Sequence, residues 1–141
     1  MIVKFYDQVE DEKLKFAVIA ARAEGKWVFC KHKARTTFEM PGGHREPGEP
    51  ILDTARRELQ EETGATAFDL QPVCVYSVTD PDNFDGAETY GLLCTAQVHA
   101  FGPIDSEMEK IVLTADLPTQ WTYPQIQPKL LAELERHGVI Q

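Results

Sequence analysis

Pro50 to Thr63 reads as a helix, and that helix carries two faces with opposite demands. Pro50 suits the first helical turn and Gly64 the position just past the end. Leu52, Ala55 and Leu59 recur at helical spacing and need another layer to cover them. At about 100° per residue, Glu58, Glu61 and Glu62 fall within an arc of about 100° on a second face. Glu58 and Glu62 are an i, i+4 like-charge pair, which costs about 0.2–0.5 kcal/mol. Glu61 and Glu62 also stand in the last turn, where the helix dipole disfavours anions. Local stability does not account for such a face. A hard divalent cation does, because Mg²⁺ and Mn²⁺ prefer carboxylate oxygens. The competing reading is a solvated acidic face.

The remaining elements predict what this helix packs on. Lys15 to Arg22 and Trp27 to Lys31 are apolar runs around Glu24-Gly25-Lys26, which reads as a hairpin. Thr36 to Met40 reads as a short strand ended by the breaker Pro41-Gly42-Gly43. Two longer strands are expected over Leu70 to Thr79 and Glu88 to Phe101, joined by the turn-rich Asp80-Pro81-Asp82-Asn83-Phe84-Asp85-Gly86. A shorter strand fits Lys110 to Thr114. A last helix fits Ile126 to His137, closed by Gly138, with Leu130, Leu131 and Leu134 facing inward. Strands with one helix in the middle and one at the end predict an α/β fold with a mixed sheet covered by helices. At 141 residues, with no repeat or linker, residues 1–141 read as a single domain.

Charge narrows the partners. Fourteen Lys and Arg against 23 Asp and Glu leave a formal charge of −9. Non-specific nucleic-acid binding needs a basic surplus, so no extended nucleic-acid surface is expected. A small anionic substrate requires metal ions or a local basic cluster to offset repulsion. Lys31, Lys33 and Arg35 form such a cluster and could meet outer phosphates, unless they are ordinary charges on a solvated loop. The longest uninterrupted apolar run, Phe16 to Ala21, is far too short for a membrane span. The N-terminus reaches Asp7 before any signal-peptide core develops. Cys30, Cys74 and Cys94 lie far apart in apolar runs, as buried reduced thiols do. These features point to a cytoplasmic protein.

From Gly43 the sequence runs Gly43-His44-Arg45-Glu46-Pro47-Gly48-Glu49, then seven residues, then Arg57-Glu58-Leu59-Gln60-Glu61-Glu62-Thr63-Gly64-Ala65. This resembles the Nudix box, G-x5-E-x7-R-E-U-x-E-E-x-G-U with U a bulky aliphatic. Every fixed identity matches in register, which chance produces at about 10⁻⁸ per start position. Ala65 departs from the pattern only by being small. The resemblance implies an α/β/α sandwich with a mixed sheet and a loop–helix–loop metal platform. It also implies hydrolysis of a nucleoside diphosphate linked to another moiety, a small-molecule nucleotide substrate, and Mg²⁺ or Mn²⁺. By position, Glu58, Glu61 and Glu62 resemble the metal ligands, with the Gly42 carbonyl as a backbone ligand. Arg57 and Glu49 resemble the pair that braces the loop on the helix, with Gly43 and Gly64 as its glycines. Arg57 also stands close enough to orient Glu61.

The resemblance implies a general base either from a glutamate in the box, such as Glu61 or Glu62, or from a carboxylate on a later loop. There Ser106-Glu107-Met108-Glu109 offers Glu107 and, preferred, Glu109, unless these are ordinary surface charges. His32, His44, His99 and His137 match no metal-ligand spacing and receive no role. Phe38-Glu39-Met40-Pro41-Gly42-Gly43 is similar to the segment leading into the box of nucleoside triphosphate pyrophosphohydrolases, some acting on oxidised purine nucleotides. That favours cleavage of a triphosphate to monophosphate and pyrophosphate. Pro81, 16 residues after Ala65, lies near where ADP-ribose hydrolases of that family often carry a proline. That implies an ADP-ribose or nucleotide-sugar pyrophosphatase instead, although a proline in the turn Asp80-Pro81-Asp82-Asn83 needs no such explanation. A nucleotide-binding module without catalysis would normally have lost box glutamates, and an isoprenoid diphosphate isomerase would need a cysteine outside the apolar strands. A homodimer is compatible with the sequence.

Overall fold

A computed structural model describes residues 1–82, 84–104 and 108–140, with the backbone alone for Phe84, Met108 and Glu109. The strands are β1 (Ile2–Tyr6), β2 (Leu14–Ala23), β3 (Lys26–His32), β4 (Gly42–His44), β5 (Ala65–Thr79), β6 (Glu88–Phe101) and β7 (Met108–Thr114). Helix α1 spans Ile51–Thr63 and α2 spans Gln127–Arg136. The sheet runs β1-β5-β6-β2-β3-β7, with β4 also paired to β2. Strands β2 and β6 are parallel, and the other pairs are antiparallel.

The central strand β2 explains the two layers. Its apolar run is continuous because both faces are buried, as in sheets covered on two sides. Ala17, Ile19, Ala21 and Ala23 pack with Ala55 and Leu59 of α1. Val18 and Ala20 point the other way, into a core with Phe29, Leu130, Leu131 and Leu134. The expected inner face of the last helix is therefore observed, and the two helices cover opposite faces. This is the expected α/β/α arrangement. Glu24 and Gly25 both have positive φ (53° and 75°), which gives the β2–β3 hairpin the twist it needs.

Three expectations need correction. Residues 36–40 form no strand; they make only the single bridges Cys30↔Glu39 and Phe38↔Trp121. Pro41-Gly42-Gly43 does not break the chain's pairing, since Gly42–His44 is itself β4, with Val18 opposite Gly42 and Ala17 opposite Gly43. Pro41 sits just outside β4, where its missing N–H costs nothing, and its carbonyl takes the Ile19 N–H at 2.9 Å. Gly42 permits the close approach, because a Cβ there would come within 3.0 Å of the Val18 Cα. Strand β5 starts at Ala65, directly after the helix cap, and not at Leu70. It absorbs Pro72 at a register shift between Pro72 and Cys74. Strand β1, which the sequence reading did not foresee, lies at the sheet edge on the far end of β5. Cys30, Cys74 and Cys94 are buried free thiols. No helix among the described residues is long and apolar enough to cross a membrane.

Candidate active site

The loop after β4 returns to α1 through one ion-pair hub. Arg57 donates from Nε to Glu49 Oε2 at 2.8 Å and from Nη2 to Glu49 Oε1 at 3.1 Å. A two-bond pair of this kind fixes direction as well as distance. Nη2 also donates to the His44 carbonyl at 3.0 Å, so the arginine holds both ends of the loop. Thr54 adds its hydroxyl to Glu49 at 2.7 Å. These bonds hold the Glu49 carboxyl down at about 2, with the Arg57 bonds the largest cause. On the outer side of the loop, Arg45 donates to the Glu49 carbonyl at 2.6 Å and pairs with Asp11 at 2.9 Å. A shallow groove of about 700 Å³ runs along that side, and none of Glu58, Glu61 and Glu62 lines it.

The three glutamates are held differently. Glu58 is buried and accepts from Arg57 Nη1 at 2.7 Å. Its carboxylate lies directly against Gly43, where any Cβ would collide with it. Glu62 is half-buried and accepts the Gly42 N–H at 2.8 Å. Glu61 is exposed and meets Arg57 Nη1 at 3.3 Å, as the four-residue spacing predicted. Burial pushes the Glu58 carboxyl up, and pushes Glu62 up to about 8 with Glu58, Glu39 and Glu61 adding repulsion.

Among the described residues, no three acidic, imidazole or thiol groups converge on one point as they stand. Arg57 takes Glu58 and Glu61, and the Gly42 N–H takes Glu62, so all three carboxylates already have partners. The donor chemistry nonetheless fits a hard cation. Ile19 N–H bonds Pro41 and Arg45 N–H bonds Lys15, at 2.9 and 2.8 Å, flanking Gly42–His44. Antiparallel alternation then turns the Gly42 N–H and carbonyl away from β2. The N–H goes to Glu62, and the carbonyl leaves the strand on the same side.

The other sequence-selected residues separate. Arg35 reaches Glu39 at 4.0 Å and lies 5.7 Å from the Tyr123 ring centroid. Lys31 is half-buried in β3 and Lys33 is exposed in the turn that follows. Glu109 has its backbone in β7, beside β3, and its side chain lies outside the described residues. Glu107 lies outside them altogether. Pro81 is an exposed turn residue.

A cavity of about 340 Å³ opens beside the glycine strand, lined by Gly42, Gly43 and His44 on one side and by Phe16, Tyr76 and Leu130 on another. The buried Gln127 at the start of α2 completes it. Sequence reasoning missed Phe16, Tyr76 and Gln127, since each reads as an ordinary core or helix-end residue. It also left His44 without a role, although the ring stands at this wall, edge-on to Phe16 at 6.2 Å.

A mixed sheet thus lies between two helices, with a glycine strand pressed on a carboxylate-bearing helix. The sequence model of the NUDIX domain matches residues 11–134, and the chain belongs to that family. YtkD of Bacillus subtilis (strain 168), provisionally named an 8-oxo-dGTP diphosphatase, is 37% identical over 76 residues, covering 54% of this chain and 48% of the relative. An ADP-ribose pyrophosphatase of the same organism is 44% identical over 64 residues, covering 43% of this chain and 35% of the relative. The chain thus spans less than half the length of these relatives. The fold is similar to the crystal structure of a point mutant of the Bacillus subtilis pyrophosphohydrolase BsRppH, with TM-score 0.79 and 24% identity, covering 99% of this chain and 93% of that one.

Proposed function

We propose that the chain is a metal-dependent hydrolase that cleaves the diphosphate linkage of a nucleoside diphosphate derivative, with nucleoside triphosphates going to monophosphate and pyrophosphate. The observation that carries this reading is the seam between β4 and α1. Glu58 lies on Gly43 and Glu62 takes the Gly42 N–H, so hard oxygen donors stand beside a cavity that shares both glycines. Glu58, Glu61, Glu62 and the Gly42 carbonyl would hold Mg²⁺ or Mn²⁺, which supplies an acidified water and charge neutralisation on the phosphates when bound. Arg57 positions Glu61 and fixes the loop through Glu49. Glu109 is the candidate base that takes the proton from the attacking water. Arg35, 5.7 Å from the ring of the cavity-lining Tyr123, is the basic residue favoured to meet an outer phosphate, ahead of Lys31 and Lys33. Residues 1–141 work as one domain in this reading, since Met1 and Leu130 both wall the cavity.

ADP-ribose hydrolysis is the second reading, supported by the likeness to the ADP-ribose pyrophosphatase. The intact box glutamates weigh against a binding module without turnover. The test is a panel of nucleoside triphosphates and ADP-ribose with Mg²⁺ or Mn²⁺, products identified by mass. Turnover should vanish in chelator and return with metal. Glu62→Gln should lower kcat by orders of magnitude while leaving the fold in place. Full turnover after metal removal would overturn the proposal.

A further inference from the structure

Behind one wall of the cavity lies a polar cluster that the carboxylate seam does not use. Glu88, at the start of β6, accepts hydrogen bonds from three hydroxyls. Tyr6 of β1 and Ser77 of β5 each donate to its Oε2 at 2.6 Å, and Tyr90 of β6 donates to its Oε1 at 2.7 Å. Ser77 is fully buried. These bonds, with Ser77 the largest cause, hold the Glu88 carboxyl down at about 2. The Tyr6 and Tyr90 rings lie 5.8 Å apart between centroids, and Lys13 Nζ stands 5.9 Å from the Tyr90 centroid. Both rings pack in the layer under α1. One carboxylate therefore ties together three adjacent strands, β1, β5 and β6.

The cluster and the cavity share one stretch of backbone. Successive side chains of a strand point to opposite faces. Ser77 stands between Tyr76 and Val78, and Thr89 between Glu88 and Tyr90. Tyr76, Val78 and Thr89 line the 340 Å³ cavity, on the face opposite the cluster. The register agrees, with Ser77 opposite Lys4 and Tyr90, and Val78 opposite Val3 and Thr89. Met1, just before β1, lines the cavity as well.

The strand that needs holding is β1. It has five residues and lies at the sheet edge, with a paired strand on one side only among the described residues. Short edge elements open locally at low cost. Hydrogen bonds to an ionised acceptor are about twice as strong as neutral ones. The Tyr6 bond also reaches past β5 to β6, across 82 positions of sequence. Resting on the reading of this cavity as the nucleotide site, we propose that Glu88 is a positioning residue for substrate binding. Its clasp fixes β1, β5 and β6 against one another, and so holds Met1, Val78 and Thr89 where they wall the bound nucleotide.

The experiment compares Glu88→Leu with the unmodified full chain in Mg²⁺. It combines amide hydrogen exchange, kinetics on GTP and ATP, and calorimetric binding of GMP and AMP. Leucine keeps the bulk and removes every acceptor. Exchange of the β1 amides should quicken at least about tenfold, which one bond to a charged group suffices to supply. KM, and Kd for the monophosphates, should rise at least about tenfold, the effect of a lost apolar pocket contact. The change in kcat should stay below about twofold, because the lost interaction is uniform binding. A clasp that served stability alone would lower the folded fraction and so the apparent kcat, with KM unmoved. That outcome overturns the proposal, as does unchanged exchange in β1. If Glu88→Leu does not fold, Tyr6→Phe removes only the bond to β1 and should likewise raise KM and spare kcat. Metal-dependent hydrolysis with KM unmoved removes the positioning role and leaves the hydrolase reading standing. Weaker monophosphate binding by Glu88→Leu, with no hydrolysis by either protein, removes the hydrolase reading and leaves the positioning role.

Discussion

Arg57 carries more of the site's order than any other side chain, since it bonds Glu49, Glu58, Glu61 and the His44 carbonyl at once. Its effect is measurable through Glu49. That carboxyl titrates at about 2 in the folded chain, chiefly through its Arg57 bonds, against about 4.3 in an unfolded one. A depressed carboxylate stabilises the fold above its unfolded pKa, and the stabilisation is lost as pH falls from about 4.3 towards about 2. Arg57→Ala should therefore melt lower at pH 7, yet lose less melting temperature across that acid window than the unmodified chain. Parallel melting curves from pH 7 to pH 2 would show that Arg57 does not hold Glu49. Glu62 works in the opposite direction. Its carboxyl is raised to about 8 by burial, so its ionisation costs stability as pH climbs from about 4.3 to about 8.

At the scale of elements, two glycines of the box do different work. Gly64 ends α1 at φ +76°, and a Cβ there would run into the Gly102 carbonyl. Gly64→Ala should cost about 1–3 kcal/mol in urea unfolding, the usual range for a strained backbone position. Gly43 has no such backbone strain, and its added Cβ would strike the Glu58 carboxylate. Gly43→Ala should therefore lower kcat by displacing a flexible side chain, with a smaller loss of stability than Gly64→Ala. A Gly43→Ala enzyme with unchanged kcat would separate the Glu58 position from catalysis. The helices and the β2–β3 hairpin were legible because capping residues, apolar spacing and a Glu-Gly turn are local signals. Strand β4 was not, because Gly-Gly is ordinarily a breaker and here pairs only through a distant partner, Phe16, Ala17 and Val18 of β2.

At the scale of the whole molecule, a −9 chain that gathers carboxylates on one helix should respond to divalent cations in its stability. A ligand that binds only the folded state stabilises it by about 2.7 kcal/mol at 100 times its Kd. Saturating Mg²⁺ or Mn²⁺ should raise the melting temperature, most at pH 8, where Glu62 ionisation weighs most on the fold. Glu58→Gln should blunt that rise while leaving the metal-free protein no less stable, since it relieves like-charge repulsion. A small rise that does not saturate, and that NaCl reproduces at equal ionic strength, would mark a solvated acidic face instead.

What the sequence by itself determined is local and periodic. The two helices, the β2–β3 hairpin, the apolar and acidic faces of α1 and the cap at Gly64 follow from spacing along one stretch, and the Glu49–Arg57 pairing followed from the resemblance to the Nudix box. Contacts between distant segments were decided only in three dimensions. Gly42 meets Glu62 across 20 positions and Met40 meets Gln127 across 87. Neither pair has a sequence signature, because a backbone N–H looks the same in every residue and a helix-initial glutamine is unremarkable until something packs against it. The basic cluster shows the converse. Lys31, Lys33 and Arg35 are neighbours in the chain, yet a strand, a turn and a contact with the Tyr123 ring give them different surroundings. Proximity in sequence became proximity in space only where regular hydrogen bonding held the backbone on a known period.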